Sequence, residues 1–392
     1  MKAVILAGGK GTRVRPLTYM LPKPMVPILE RPIMSYLIDL LKRHGFDEVM
    51  VTVGYMADMI EDHYKGGADY GVQIAYSLEG KLEKGEIIPV GLGSAGGLKK
   101  VQAYASFFDE PFLVICGDAL IDLDFSAAMA YHKAKGAMAT VICKEVPKEE
   151  VYRYGVVVTD AENHVKSFQE KPKVEEAKSN IINTGIYIFD PKVFDHIPEE
   201  GEYDIGGELL PALVEKGLPF YAFAPEFQWV DVGSTTDFYH ANLMLIEQKV
   251  NGANPYGKEV RKGIWMGINC DIDLDAIEIV PPVYIGSSVR IEKGAKIIGP
   301  TMIGSGSVIK EGAVLKESVV LSYTKVSSVA VIEKKIIAGK YIINPFGDSI
   351  DIEESEINFL VDDARKDDAA HSEAQKEIME MIKHIGDITI NR

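Results

Sequence analysis

The feature that most constrains this chain is a run of seven aliphatic residues spaced six apart: Ile285, Ile291, Ile297, Ile303, Ile309, Leu315 and Leu321. Two positions before each stands Val283, Val289, Ala295, Thr301, Ser307, Ala313 or Val319, mostly small or β-branched. A period of six is neither the 3.6 of a helix nor the 2 of an ordinary strand. It is the hexapeptide pattern of a parallel β-helix, in which each hexad forms one face of a triangular coil. An antiparallel sheet would meet that spacing seven times running only by accident. Seven hexads predict a short left-handed β-helix of a little over two coils within 263–345. Its open ends and flat faces invite a second subunit, so a homo-oligomer formed through this domain is expected.

The first 250 residues follow a different rule. Short apolar runs at Ala3–Leu6, Val49–Val53, Val72–Tyr76, Phe112–Cys116, Ala139–Cys143, Ile186–Phe189 and Phe220–Phe223 read as strands covered on both faces. Between the first two, Pro32–His44 carries Ile33, Leu37, Leu40 and Leu41 at helical spacing, with Gly45 at the stop. Alternating strand and helix predicts an α/β, Rossmann-like domain over 1–250 with a mainly parallel sheet. Ligands of such sheets bind beyond the carboxyl ends of the strands. Asn251–Lys262, rich in Asn and Gly, reads as a linker. Residues 346–392 read as an acidic, largely helical tail, with Ile357, Leu360, Val361, Ala364, Ile378, Met381 and Ile382 at helical spacings. Its run of Asp362, Asp363, Asp367 and Asp368 is expected to face water.

Charge narrows the function. The chain has 42 basic and 58 acidic side chains, a net of −16, which argues against nucleic acid or anionic membrane as a partner. Yet residues 1–29 hold five basic side chains (Lys2, Lys10, Arg13, Arg15, Lys23) and no acidic one. Cys116, Cys143 and Cys270 are far apart, which suggests free thiols in a reducing compartment. The opening MKAVILAGG has too short an apolar core for a signal peptide, and no apolar run approaches a membrane span. A cytoplasmic location is expected.

The cationic opening is also the clearest chemical motif. In LAGGKGTRVRPLT, the glycines Gly8, Gly9 and Gly11 follow a strand through Leu6 and Ala7. Successive N–H groups in such a loop make a nest for phosphate oxygens. Thr12 adds a hydroxyl and Arg13 a guanidinium fork suited to phosphate. Lys23, held between Pro22 and Pro24, offers a point charge. Asp118 stands at the carboxyl end of Phe112–Cys116, and Asp231 lies in the apolar stretch Trp229–Gly233. Two such carboxylates beside a phosphate loop suggest joint ligation of Mg²⁺, which favours carboxylates plus substrate phosphates. Taken singly, each Asp reads as a helix cap. Glu170 and Lys171 in FQEKP, Asn183–Thr184–Gly185, and Tyr154–Gly155 read as candidates for binding a sugar and its phosphate.

In this order and spacing, LAGGKGTRVRPLT…PKP, GD, EKP, NTG and WVDVG resemble the sugar-1-phosphate nucleotidylyltransferases, a family that often carries a hexapeptide β-helix. The resemblance covers nearly the whole chain to about residue 362. Within the family, GLGSAGGLKK, CGDALIDLD, INTGIYIFDP and YDIGGELLP look like the cyanobacterial-type UDP-glucose pyrophosphorylases; the acidic extension past Arg365 departs from them. The resemblance implies transfer of a nucleotidyl group from a nucleoside triphosphate to a sugar-1-phosphate, with Mg²⁺ as cofactor. UTP with glucose-1-phosphate is the first expectation, and GTP with mannose-1-phosphate the alternative. It places Leu6, Ala7, Gly8, Gly9, Gly11, Thr12, Arg13, Gly93 and Ser94 at the nucleotide. Tyr154, Gly155, Glu170, Lys171, Asn183 and Thr184 fall at the sugar phosphate, and Asp118 and Asp231 at the metal. Arg13, Lys23 and Asp118 carry the catalysis. A non-catalytic, sugar-nucleotide-sensing subunit is the rival from another class, and would be expected to have lost one of these groups.

Overall fold

The computed structural model describes residues 1–83, 86–89, 91–366 and 373–385. By their internal contacts they fall into two units. The first comprises Met1–Gly11, Leu21–Met25 and Ile33–Trp229; the second comprises Thr12–Met20, Val26–Pro32 and the chain from Val230 onward.

The first unit is built on one mixed sheet. Its centre is parallel: Phe112–Cys116, Lys2–Ala7, Glu48–Val53 and Gln73–Leu78 lie side by side in that order. Parallel neighbours need a crossover, and helix Ile33–Arg43 supplies the one between Lys2–Ala7 and Glu48–Val53. Alternation along the first strand divides the core. Ala3, Ile5 and Ala7 join the cluster on one face, and Val4 and Leu6 the cluster on the other. All seven apolar runs read as strands are strands. Beyond Phe112–Cys116 the sheet turns antiparallel through the long strand Ile181–Phe189, which also pairs with Ala139–Glu145. The hairpin Gly155–Thr159 with Val165–Glu170 extends that edge. Sequence periodicity did not single it out: Val156, Val157 and Val158 make an apolar run of only three residues, and in Val165–Glu170 only Val165 is buried.

The second unit contains the β-helix. One face stacks Ile264–Met266, Val283–Ile285, Thr301–Ile303, Val319–Val320 and Ile336–Ala338 in parallel; two further faces stack four parallel strands each among the described residues. Ile285, Ile291, Ile297, Ile303, Ile309 and Leu315 are all 3% exposed or less. Leu321 is the exception: Val320 takes the inward place instead. The register explains the shift. Ile285 pairs with Ile303, eighteen residues on, whereas Ile303 pairs with Val320, seventeen on. Later coils keep the shorter repeat, as Val314↔Val331 and Val319↔Ile336 show. The β-helix is therefore about twice as long as perfect hexads alone predict, because coils with imperfect spacing continue it at both ends.

The segment read as a linker contains a strand, Lys258–Arg261, antiparallel to Ile264–Met266. At the other end the early tail is not helical. Val361–Asp363 pairs antiparallel with Thr324–Val326 and buries Val361, so the spacing there reflects side chains closing the β-helix. Helix Glu373–Ile385 does form, whereas Asp367 and Asp368 lie outside the described residues.

Candidate active site

In the first unit the site grows from the end of the central strand. Leu6 and Ala7 pair with Thr52 and Val53, and the chain then enters the glycine loop. A Cβ on Gly8 would overlap the Glu79 carboxylate, so only glycine lets the loop lie on that side chain. Gly54 packs on the Gly8 backbone from the other side. A Cβ on Gly9 would meet nothing within 4 Å, so its backbone is open to a ligand. Burial holds the Glu79 carboxyl above its ordinary range, with Lys100 opposing the shift.

Lys23 stands on the short turn Lys23–Met25, closed by Met25 N–H donating to Pro22 O at 2.8 Å. Its Nζ donates to Asp118 Oδ2, and the two side chains are only 12% and 17% exposed. A low-dielectric setting strengthens this ion pair relative to one in open water. Asp118 follows Gly117, whose N–H donates to Leu6 O at 2.9 Å, so the carboxylate is fixed at the carboxyl end of a strand as expected.

Gly93 and Ser94 begin the helix Gly93–Ala105. Gly93 has φ +69°, and a Cβ there would overlap the Tyr203 backbone. Ala95 and Gly96 both donate N–H to Tyr203 O at 3.0 Å. Ser94 Oγ donates to Asp204 Oδ2 at 2.7 Å and accepts from Ile205 N–H at 2.8 Å. Ser94 thus holds its helix to the Tyr203–Ile205 stretch.

That clasp leads to the sugar-phosphate candidates. Gly206 lies beside Asp204 and Glu170: a Cβ on it would stand 3.5 Å from Asp204 Oδ1 and 3.8 Å from Glu170 Oε2. Glu170 is the strand partner of Gly155, whose missing Cβ leaves room for the Phe168 ring. Lys171 Nζ lies 3.1 Å from Glu170 Oε1, both groups half-exposed. Lys171 has left-handed backbone at φ +43° and donates its N–H to Tyr154 O. Such strain is stored only where the surroundings enforce it, and often at functional sites. The Tyr154 ring meets Trp229 edge-on at 5.5 Å. Asn183 and Thr184 differ from this group. Asn183 donates to Tyr187 OH at 2.8 Å and accepts from Gly185 N–H. Thr184 is 5% exposed and donates to Ile142 O at 2.8 Å. The Thr184 hydroxyl is therefore committed to the core.

Of the remaining candidates, Gly11 ends the first unit's loop with φ +61°, and Thr12, Arg13 and Asp231 belong to the second unit. Thr12 and Arg13 open the turn Thr12–Val14, and Asp231 precedes helix Thr235–Ile246. Ser234 caps that helix and bonds Asp237, so neither Asp118 nor Asp231 acts as a helix cap. A Cβ on Gly233 would meet Asp231 Oδ2 at 3.4 Å, Asp237 Oδ2 at 3.5 Å and Arg13 Nη1 at 3.8 Å. One guanidinium and two carboxylates thus converge on one glycine. Glu79, Asp204 and Asp237 escaped the sequence reading. Asp204 stands within YDIGGELLP but has no role assigned there, and Glu79 and Asp237 lie outside every motif singled out; only the fold brings the three carboxylates to the candidate residues.

Comparison with known proteins gives a consistent result. The nucleotidyl transferase family model matches residues 2–248, and the GMPPB C-terminal domain matches 279–357. A UTP–glucose-1-phosphate uridylyltransferase of Synechocystis sp. is 49% identical over 365 residues, covering 93% of this chain and 94% of that protein. A mannose-1-phosphate guanylyltransferase catalytic subunit beta of Xenopus tropicalis is 36% identical over 67% of this chain and 69% of its own length. In fold, a putative glucose-1-phosphate thymidylyltransferase from Bacillus anthracis superposes with TM-score 0.54 at 24% identity, over 66% of this chain and 98% of that one. With the glycine loop, the buried Lys23–Asp118 pair and these matches in place, the chain belongs to the nucleotidyl transferase family, among its sugar-1-phosphate nucleotidylyltransferases.

Proposed function

We propose that this enzyme joins UTP and glucose-1-phosphate into UDP-glucose and pyrophosphate. The observation that carries the substrate choice is the 49% identity, across nearly both full lengths, to a relative of that activity. In the reaction a phosphate oxygen of the sugar phosphate attacks the α-phosphorus. The bond to the β-phosphate breaks, and pyrophosphate leaves with the electron pair. The attacking phosphate is already ionised near neutral pH, with a second pKa of about 6, so no general base is required. Catalysis is then positioning and charge neutralisation between anions.

The residues have matching roles. The open backbone around Gly9, with Gly8, Gly11 and Thr12, takes the phosphates and ribose, while Gly93 and Ser94 lie along the base. Arg13 neutralises the departing pyrophosphate, and Lys23 the charge at the α-phosphate. Lys171 and Glu170, with Gly155 and Tyr154, take the sugar phosphate; Asn183 and Thr184 line that site through their backbone. Asp118 and Asp231 are hard oxygen donors of the kind Mg²⁺ favours. Among the described residues no cluster of three or more His, Cys, Asp or Glu side chains could hold a metal ion by itself, which fits an ion that takes its other ligands from substrate phosphates. Mg²⁺ bound there would draw charge from the phosphates.

A cytoplasmic location and a homo-oligomer formed through the β-helix complete the proposal. Three free thiols support the first, and the flat faces of the coils the second. The GMPPB-type C-terminal match favours a second reading, GTP with mannose-1-phosphate. Initial rates for four nucleoside triphosphates against glucose-1- and mannose-1-phosphate decide. UTP with glucose-1-phosphate is expected to be fastest. Faster turnover of GTP with mannose-1-phosphate overturns the assignment, and binding without turnover on every pair restores the sensing subunit.

A further inference from the structure

Pro27–Ile28 and Arg31–Pro32 pair antiparallel, and Leu29 and Glu30 make the turn between them. Both turn residues have left-handed backbone, at φ 44° and 65°. Such a turn normally selects Asn and Gly. Leu and Glu there are strained, and the strain persists only because surrounding groups enforce it.

The enforcing groups all lie within the second unit. Leu29 is 1% exposed, and its N–H donates to Asn242 Oδ1 at 3.0 Å. Asn242 is fully buried on helix Thr235–Ile246 and donates in turn to Phe238 O. The Glu30 carboxylate reaches the β-helix. It accepts from Tyr284 OH at 3.0 Å, Ser305 Oγ at 2.9 Å, Ser322 Oγ at 2.8 Å and the Ser305 N–H. These donors come from three successive coils: Tyr284 from the strand Val283–Ile285, and Ser305 and Ser322 from the turns after Thr301–Ile303 and Val319–Val320. Gly286 has no Cβ at the point where it would press on Glu30 Oε2.

Helix Thr235–Ile246 receives this turn, and the groups given roles above gather near its amino end. Pro27–Ile28 packs against it, as does the turn Thr12–Val14 that bears Arg13. Arg13 and Asp231 meet Asp237 at its amino end. The helix is tied to the β-helix by Tyr239 OH donating to Glu317 O and Thr236 Oγ1 donating to Pro345 O.

We propose that Glu30 is a positioning residue for nucleotidyl transfer: by locking the strained turn to three coils of the β-helix, it fixes the helix end where Arg13 and Asp231 meet. A turn needed only to reverse the chain would be served by Asn-Gly. The inference rests on the roles given above to Arg13 and Asp231.

Steady-state kinetics with UTP and glucose-1-phosphate, run beside thermal melting on the full-length chain, test it. In Glu30→Gln the amide can donate to the hydroxyls while its carbonyl accepts the Ser305 N–H, so kcat should stay within about twofold of the wild type. Glu30→Gly relaxes the backbone but removes the anchor. It should lower kcat about 10- to 100-fold while KM for glucose-1-phosphate and the melting temperature barely move. A wild-type kcat in Glu30→Gly, or a loss that only tracks the unfolded fraction, overturns the proposal. If Glu30→Gly does not fold, the pair Ser305→Ala/Ser322→Ala removes two donors from the coil side, and an unchanged kcat there overturns it equally. Arg13→Ala alongside separates the two readings: undiminished turnover in that variant breaks the role of Arg13, whatever Glu30 does.

Discussion

The β-helix and the α/β sheet unit solve opposite problems. In the β-helix one instruction is repeated: an inward aliphatic residue at each face, stacked on its equivalent a coil away. Ile285, Ile303 and Val320 do the same work in succession. In the sheet unit each site residue is used once and has no substitute. Lys23 meets Asp118 across 95 positions, and Ser94 meets Asp204 across 110. Repetition spreads stability over many equal contributors, whereas uniqueness concentrates chemistry in a few. Substitutions in the repeated interior of the β-helix should therefore cost stability without chemistry, whereas those at the proposed site residues should cost chemistry without stability.

The largest effect is expected at Asp118. Asp118→Asn keeps an acceptor for Lys23 but removes the charge. Turnover should fall about 10³-fold or more with the melting temperature nearly unchanged. Pyrophosphate release at a near-normal rate would end the metal role. Next comes the β-helix core. Ile297 is fully buried on a β-helix face, and Ile297→Ala should cost about 2–5 kcal/mol in denaturant unfolding. The folded fraction should keep its kcat; a parallel loss of both would blur the contrast drawn above.

The smallest effect belongs to pH and the sheet unit's own core. His132 is 2% exposed, with Nδ1 2.9 Å from Thr140 Oγ1, and burial lowers its pKa to about 4. The unfolded chain therefore takes up a proton below pH 6.5 that the folded chain refuses. Stability should be full above that pH and decline as pH falls toward 4, by on the order of 3 kcal/mol in all. Urea unfolding at pH 7 and pH 5 measures the slope, and His132→Gln should flatten it. An equal slope in that variant would place the acid sensitivity elsewhere.

The legibility of the chain follows the same division. Ile285 through Leu315 announced the β-helix because a six-residue period has few other solutions. Leu321 misled, since a one-residue shortening of the coil is silent in a pattern that still finds an aliphatic residue at the sixth place. The apolar runs announced the sheet, but the hairpin Gly155–Thr159 with Val165–Glu170 was hidden by a three-residue apolar run in its first strand and a largely polar second strand. At the site, glycines and basic residues stood out because loops that hold phosphate need them. Glu79, Asp237 and Glu30 did not, because an isolated acidic residue reads as surface until its neighbours are known, and Asp204 carried no role even within YDIGGELLP. Thr184 shows the reverse: a polar residue next to a plausible motif whose hydroxyl serves the core.

The sequence by itself determined the fold class of both regions, the cationic glycine loop and the family. These depend on local spacing and residue type, which short-range sterics and burial convert into structure. Tertiary structure alone decided which side chains meet. It paired Lys23 with Asp118, set Glu79 under Gly8, gathered Asp231, Asp237 and Arg13 around Gly233, and held Glu30 on three coils. Those contacts join residues separated by tens to hundreds of positions. Their geometry follows from how whole layers and coils pack, which no local pattern in the chain records.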